Sequence, residues 1–201
     1  MRGFLTFLLG FSLVGCAADS RSVRVENRLG IEREALAGER AAPAVEARYG
    51  GVIRDSAAES RMERVAGRLA VSGAALGNVQ YRLLDAEELN AVSLPGRVYV
   101  TRGLYDRLES DVELAAVIAH EWAHLEARDH FKPPCSSAEA ALQREIMADR
   151  RTLHRLVSSA MDPHAMIVVV RLVEDAQLAG WAETRERAMR ETLAASIVPH
   201  P

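Results

Sequence analysis

The sequence predicts an α+β domain, mostly helical, with a small β-sheet beside one central helix. Strand-like runs are confined to positions 79–101, whereas amphipathic helical periodicity dominates from 111 onward. The two longest helical runs open on S-x-x-E capping boxes, Ser110 with Glu113 and Ser136 with Glu139. Strands gathered early and helices gathered late give an α+β order, since a parallel α/β sheet would alternate the two.

Each element has its own signal. Positions 55–69 carry apolar residues at Ala58, Met62, Val65, Ala66 and Leu69, a helical stripe that stops before Ser72-Gly73. Positions 79–84 read as a strand, and 91–94 and 98–101 as two more across the turn pair Pro95-Gly96. The helix at 111–128 has a broad apolar face built from Leu114, Ala115, Ile118, Ala119, Trp122 and Leu125. Pro133 and Pro134 break the chain before the next helix, which runs to about 157. Asp162-Pro163 caps a helix rich in Ile167, Val168, Val169 and Val170, and Gly180 precedes a last, polar helix over 182–195.

The chemistry of the chain is concentrated in His120-Glu121-Trp122-Ala123-His124. Histidines four apart stand about 40° from one another around a helix, so both imidazoles leave one face. Two such nitrogens can hold one metal ion at roughly 2.0–2.1 Å each. Glu121 is offset by about 100°, beside the ion, where a carboxylate can take a proton from a water activated there. Glu145 and Asp149 are also four apart, on the following helix. Glu145 can complete a His₂Glu shell that leaves a fourth position open, as catalytic zinc sites do. Asp149 can accept the outer N–H of a ligating histidine and fix its tautomer. One Zn²⁺ per chain is the expected cofactor. Trp122 is expected to pack beneath the sheet. His154, about 180° from Glu145, points away from this shell. His164 is expected to cap its helix or face solvent, His130 to be solvated, and Cys135 to act as a small buried hydrophobe.

The ends and the composition bound the setting. Arg2 and the apolar run over 4–14 form an export signal whose core is too short to cross a bilayer. It ends in Leu13-Val14-Gly15-Cys16, which is similar to a bacterial lipobox; a plain secretory signal is the other reading. Cys16 is then the lipidated N-terminus, and Ala17 after it favours the outer membrane, with the protein facing the periplasm. Several acyl chains would make the anchor effectively permanent. The expected division is a signal peptide over 1–15, a tether over 16–45, read as a spacer or a loosely docked helix, and one domain over 46–201. Cys135 is left without an intramolecular partner. A formal charge of −3 without a basic, aromatic-studded patch excludes nucleic acid as a partner.

Several of these segments together carry a family resemblance. Ala47-Arg48-Tyr49-Gly50-Gly51, Asn90-Ala91 with Pro95-Gly96, the run from Val98-Tyr99-Val100-Thr101 to Leu104, the HEWAH pentapeptide, Glu145 to Asp149 and Asp162-Pro163-His164-Ala165-Met166 occur in an order that resembles the M48 family of zinc metallopeptidases, in its lipoprotein and periplasmic branch. The resemblance covers about 47–173. It implies a zincin-like, gluzincin fold with His120, His124 and Glu145 on zinc and Glu121 as general base. It also implies that the strand bearing Val98, Tyr99 and Val100 edges the cleft and pairs with extended substrate. Two departures stand out. The spacer between His124 and Glu145 is short for the family, which implies a more open cleft. Trp181 stands where many members have a histidine, leaving Arg187, six residues on, as a weak candidate for stabilising the oxyanion.

The function expected is a lipid-anchored zinc metalloendopeptidase of the bacterial envelope. Its substrates would be unfolded or misassembled envelope proteins, and an envelope assembly complex is compatible with such a role. The alternative is a zinc-binding lipoprotein that works as a scaffold or a chaperone-like partner.

Overall fold

The computed structural model describes residues 20–70, 78–177 and 180–197. The expected signal peptide, Cys16, Ala17 and the Ser72-Gly73 helix stop lie outside them. The fold is α+β and mostly helical, as the pattern predicts. In chain order the elements are α1 (Ser20–Arg48), β1 (Val52–Ile53), α2 (Ser56–Ala70), β2 (Gln80–Leu84), β3 (Ala91–Leu94), β4 (Arg97–Thr101), α3 (Arg102–Tyr105), α4 (Asp111–Ala127), a 3₁₀ turn at Asp129–Phe131, α5 (Ala138–Ser158), α6 (Ala165–Gln177) and α7 (Ala182–Ile197). Among the described residues no helix is long and apolar enough to cross a membrane.

The four strands form one sheet in the order β1-β2-β4-β3. β4 pairs in parallel with β2, Tyr81 opposite Val98 and Leu83 opposite Val100, and antiparallel with β3, Val92 opposite Tyr99. The strand carrying Val98, Tyr99 and Val100 is therefore internal. Both its ladders are occupied and those three residues have no exposed surface. It cannot pair with substrate, and the expectation placed on it is corrected. The edge strands are β1 and β3, and β3 is the one next to β4. A Pro-Gly hairpin fixes which two strands are neighbours but not which of them carries the next one, and the parallel crossover from β2 decides that.

Side chains alternate across β4. Val98 and Val100 face inward with Tyr81, packing on α2 and α4 and sharing one core with Met62, Leu114, Ile118 and Trp122. Trp122 lies beneath the sheet, as its spacing indicates. Tyr99 faces the other way and joins Tyr49, Leu84, Val45 and Val92 on the outer surface of the sheet. That surface is covered by the end of α1, so the expected tether is here a docked helix. The Tyr99 hydroxyl donates to Glu46 Oε1 at 2.9 Å, and Asn90 Nδ2 donates to Tyr49 Oη at 2.7 Å. Gly38 is buried against the β3–β4 turn, where a Cβ would come within 2.1 Å of the Pro95 carbonyl oxygen.

Capping sets where the functional helices begin. Ser110 is extended and its Oγ accepts from Glu113 N–H at 3.1 Å. The Glu113 carboxylate turns back to Glu109 N–H at 2.7 Å, one residue before the N–H a capping box would use. On α5 the cap is Ser137, whose Oγ accepts from Ala140 N–H at 3.1 Å, and not Ser136. Glu139 thus falls one position too early to close a box.

Two helical glycines, one open and one tight, separate packing from backbone entropy. Gly67→Ala on α2, with nothing near a new Cβ, should stabilise the protein by about 1 kcal/mol. Gly38→Ala should instead cost about 1–3 kcal/mol and speed hydrogen exchange along α1, because backbone cannot yield as a side chain would. Denaturation midpoints and exchange rates of the two variants check the pair.

Candidate metal centre

α4 carries His120 and His124 onto one face, and α5 packs against it with Glu145 and Asp149 toward those imidazoles. Apolar residues on both helices set that orientation: Leu114, Ile118 and Ala119 on α4, Leu142, Ile146 and Leu153 on α5, all buried. His120 Nε2 lies 3.1 Å from His124 Nε2 and 3.2 Å from Glu145 Oε2, and His124 Nε2 lies 3.6 Å from Glu145 Oε1. Ligand atoms of His120, His124 and Glu145 all fall within 4.8 Å of one another, a set that could hold a metal ion.

The outer nitrogens explain why the inner ones converge. His120 Nδ1 faces Asp149 Oδ1 at 3.2 Å, although the contact is too bent to count as an aligned hydrogen bond. His124 Nδ1 is 2.8 Å from Asp129 Oδ2. A carboxylate beside each Nδ1 favours the tautomer protonated there, which turns two bare Nε2 lone pairs and a carboxylate toward one point. Donors on a tetrahedral ion at about 2.0–2.1 Å would stand roughly 3.3 Å apart, so the observed 3.1–3.6 Å spacings suit a cation well.

Electrostatics point the same way. Burial disfavours charge on His120, yet Asp149 and then Glu145 outweigh it and push its pKa up to about 10. His124 is raised too, with burial opposing and Glu145 prevailing. Burial would raise the Glu145 carboxyl, but His120 and His124 hold it well below the usual carboxylate range. The carboxylates demand positive charge where the Nε2 atoms meet.

Two groups in this site escape sequence reading. Asp129 lies five residues after His124, beyond the helix. Arg128 adopts a left-handed conformation (φ 55°) that ends α4 and folds Asp129 back under His124, where Lys132 Nζ also donates to it at 2.7 Å. Arg185 on α7 is 8% exposed and forks onto Asp149, 1% exposed, at 2.8 Å from Nε and 2.7 Å from a terminal nitrogen. The same terminal nitrogen stands 3.6 Å from Glu145. Arg187, the expected candidate, is exposed and corrected by this geometry. Two residues rotate a helix by about 200°, so Arg185 and Arg187 cannot share a face. Met189, four residues after Arg185 and wholly buried, marks the inward face of α7 and would have favoured Arg185.

A cleft of about 420 Å³ opens over these groups. Glu121, 8% exposed, lines it beside His120 and His124, and β3 lines it through Ala91, Val92 and Ser93. The segment 128–137 contributes only His130 to its wall, in keeping with a short spacer. His130 was expected in solvent and is instead half-buried there. His154 is exposed and outside the cluster, as its angle requires, and His164 pairs with Asp162 at the start of α6. Cys135 is free and half-buried.

Removing Arg185 leaves a buried carboxylate unpaired. Arg185→Met should cost about 3–5 kcal/mol in chemical denaturation, while Arg187→Met should change stability by less than about 0.5 kcal/mol.

The family described as peptidase family M48 matches residues 53–148, from β1 through Glu145 and almost to Asp149. No curated protein matches the chain. The matched segment spans the sheet, both histidines, Glu121 and Glu145, and the match supports a metallopeptidase of the M48 type.

Proposed function

We propose that the protein is a zinc-dependent endopeptidase, held by a lipid on Cys16 at the bacterial outer membrane, that cleaves unfolded or misassembled envelope proteins in the periplasm. The convergence of His120 Nε2, His124 Nε2 and Glu145 beside Glu121 carries the catalytic part. The sequence Leu13-Val14-Gly15-Cys16 supports the anchor.

His120, His124 and Glu145 hold the ion in this reading. Bound there, zinc supplies a Lewis acid for the peptide carbonyl and brings the pKa of a water down toward about 7. Glu121 takes the proton of the attacking water and delivers a proton to the leaving amine. Asp149 and Asp129 hold the two imidazoles in the tautomer that presents Nε2. Arg185 keeps Asp149 ionised and in place, so its role is positioning. Burial would raise the Asp149 carboxyl, but Arg185 and then His120 hold it low.

β3 is the strand that binds substrate. Thr101 N–H bonds Asn90 C=O at 3.0 Å, so by antiparallel alternation Val92 also bonds β4, and Ala91 and Ser93 turn their backbone groups to the free edge. Ala91 N–H is taken by Asn90 Oδ1 at 2.9 Å. Ser93 is left as the donor for an extended chain, and folded substrates are excluded because they cannot present one.

Casein cleavage that a chelator abolishes tests the activity. His120→Ala, His124→Ala and Glu145→Ala should lose the metal, whereas Glu121→Gln should keep it and lose about 10²–10⁴-fold in rate. Metal retained in full by Glu145→Ala would remove that residue from the shell. Ser93→Pro should weaken cleavage with metal content and melting temperature unchanged; wild-type cleavage by this variant overturns pairing on β3. Cys16→Ser should move the protein from membrane to soluble fractions, and wild type found soluble would defeat the anchor.

A further inference from the structure

The turn that follows α4 is held from outside by α1, a helix that lies ahead of the family-matched segment 53–148. Arg128 ends α4 in the left-handed region (φ 55°), and its N–H bonds the carbonyls of His124 and Leu125. Its guanidinium lies 5.7 Å from the centre of the Phe131 ring and pairs with Glu34 of α1. The next residue is Asp129, which faces His124 Nδ1 at 2.8 Å. Phe131 N–H bonds Arg128 C=O at 3.0 Å and Lys132 N–H bonds Asp129 C=O at 3.1 Å, closing the turn. α1 is seated on the sheet independently of Glu34. Gly38, one turn along, is wedged where a Cβ would meet the Pro95 carbonyl oxygen at 2.1 Å, and Glu46 accepts from Tyr99. A contact or a peptide bond therefore joins each step from α1 through Arg128 and Asp129 to His124.

We propose that Glu34 and Arg128 are positioning residues for the metal ligand His124, so that docking of α1 sets how firmly the ion is held. The inference rests on His124 being a ligand, as in the reading above. A side chain with a Cβ disfavours the left-handed region, so this turn depends on what the arginine reaches. It reaches Glu34 and the face of Phe131. Once the side chain is released, nothing favours φ 55° over the ordinary helical region. Asp129, hinged on that residue, then swings away from His124 Nδ1. Lys132 cannot guide the carboxylate in its place, because it belongs to the same turn and moves with it. Arg144 of α5 approaches Asp129 only to 3.8 Å. Without Asp129 beside it, His124 spends part of its time in the tautomer that has no lone pair on Nε2. The Arg128 side chain is 61% exposed, so its ion pair contributes little to global stability and acts on the turn. Whatever lifts α1 off the sheet thus loosens the metal.

The test uses the full-length protein and two readouts. Zn²⁺ is titrated in competition with a chromophoric chelator, and the metal-free protein is followed through the downfield proton resonance of His124 Nδ1–H. Glu34→Ala and Arg128→Ala should each weaken zinc about 2–5-fold, the scale of an exposed ion pair, with little change in melting temperature. The double variant should lose no more than either single one, because both remove the same contact. Arg128→Gly should recover affinity relative to Arg128→Ala, since glycine adopts the left-handed turn without a clamp. Asp129→Asn sets the upper limit, about 10–100-fold. Gly38→Ala, which loosens α1 at Pro95 and touches neither Arg128 nor the site, should weaken zinc as well. In every weakened variant the His124 resonance should broaden or move upfield. Should Gly38→Ala fail to fold, Glu34→Ala decides by itself. Affinity and resonance both unchanged in Glu34→Ala overturn the proposal, and so do losses that add in the double variant. A wild type that binds no zinc overturns the metal reading instead, and the His124 resonance of the metal-free variants still decides whether Glu34 positions that imidazole.

Discussion

The metal centre depends on one buried ion pair. Asp149 and Arg185 are almost wholly out of water, and each would be costly there alone. Paired through two short bonds, they tie α7 to α5, and Asp149 in turn sets a negative charge 3.2 Å from the outer nitrogen of His120 on α4. Three helices are thereby keyed to one carboxylate. A hydrophobic pair of the same volume could hold the helices as well, but could not direct an imidazole. The ion pair is retained for orientation, and this is why its loss should reach the site as well as the fold.

What was legible in the sequence follows from how local each relation is. His120, Glu121 and His124 sit within one helical turn, so helix geometry alone orients them. Glu145 and Asp149 repeat the same spacing on a helix of their own, and their roles could be read once two helices were expected to meet. Asp129 depends on a single left-handed residue, Arg128, where neither Gly nor Asn marks the turn. Arg185 depends on which face α7 presents, and counting six residues from Trp181 selects the exposed Arg187 instead. The edge strand failed for a different reason. Val98, Val100 and Tyr99 have the alternation of any strand, and only the parallel pairing of β2 with β4 makes them internal.

The same topology gives the outer layer its purpose. A four-stranded sheet with one face on the catalytic helices turns Tyr99, Leu84 and Val92 to the other, where they need cover. α1 covers that face: Glu46 near its end accepts from Tyr99 of β4, and Tyr49 just beyond it accepts from Asn90, which lines the cleft ahead of β3. The segment expected to be a tether therefore packs on the sheet whose free edge lies over the metal centre, and its docking supports β3 from behind.

The charge pattern of the site is matched to a divalent ion more closely than to a proton. Asp149 has Arg185, and Asp129 has Lys132. Arg185 reaches Glu145 only at 3.6 Å, its short bonds being spent on Asp149, so Glu145 and Glu121 are left as the negative charge around the two Nε2 atoms. A proton on one Nε2 can satisfy a single direction, toward the other imidazole or toward Glu145, and leaves the rest opposed. A doubly charged ion accepts all three ligand atoms at once and offsets both carboxylates. Because the Nδ1 atoms already face carboxylates, the imidazoles need not reorient to receive it.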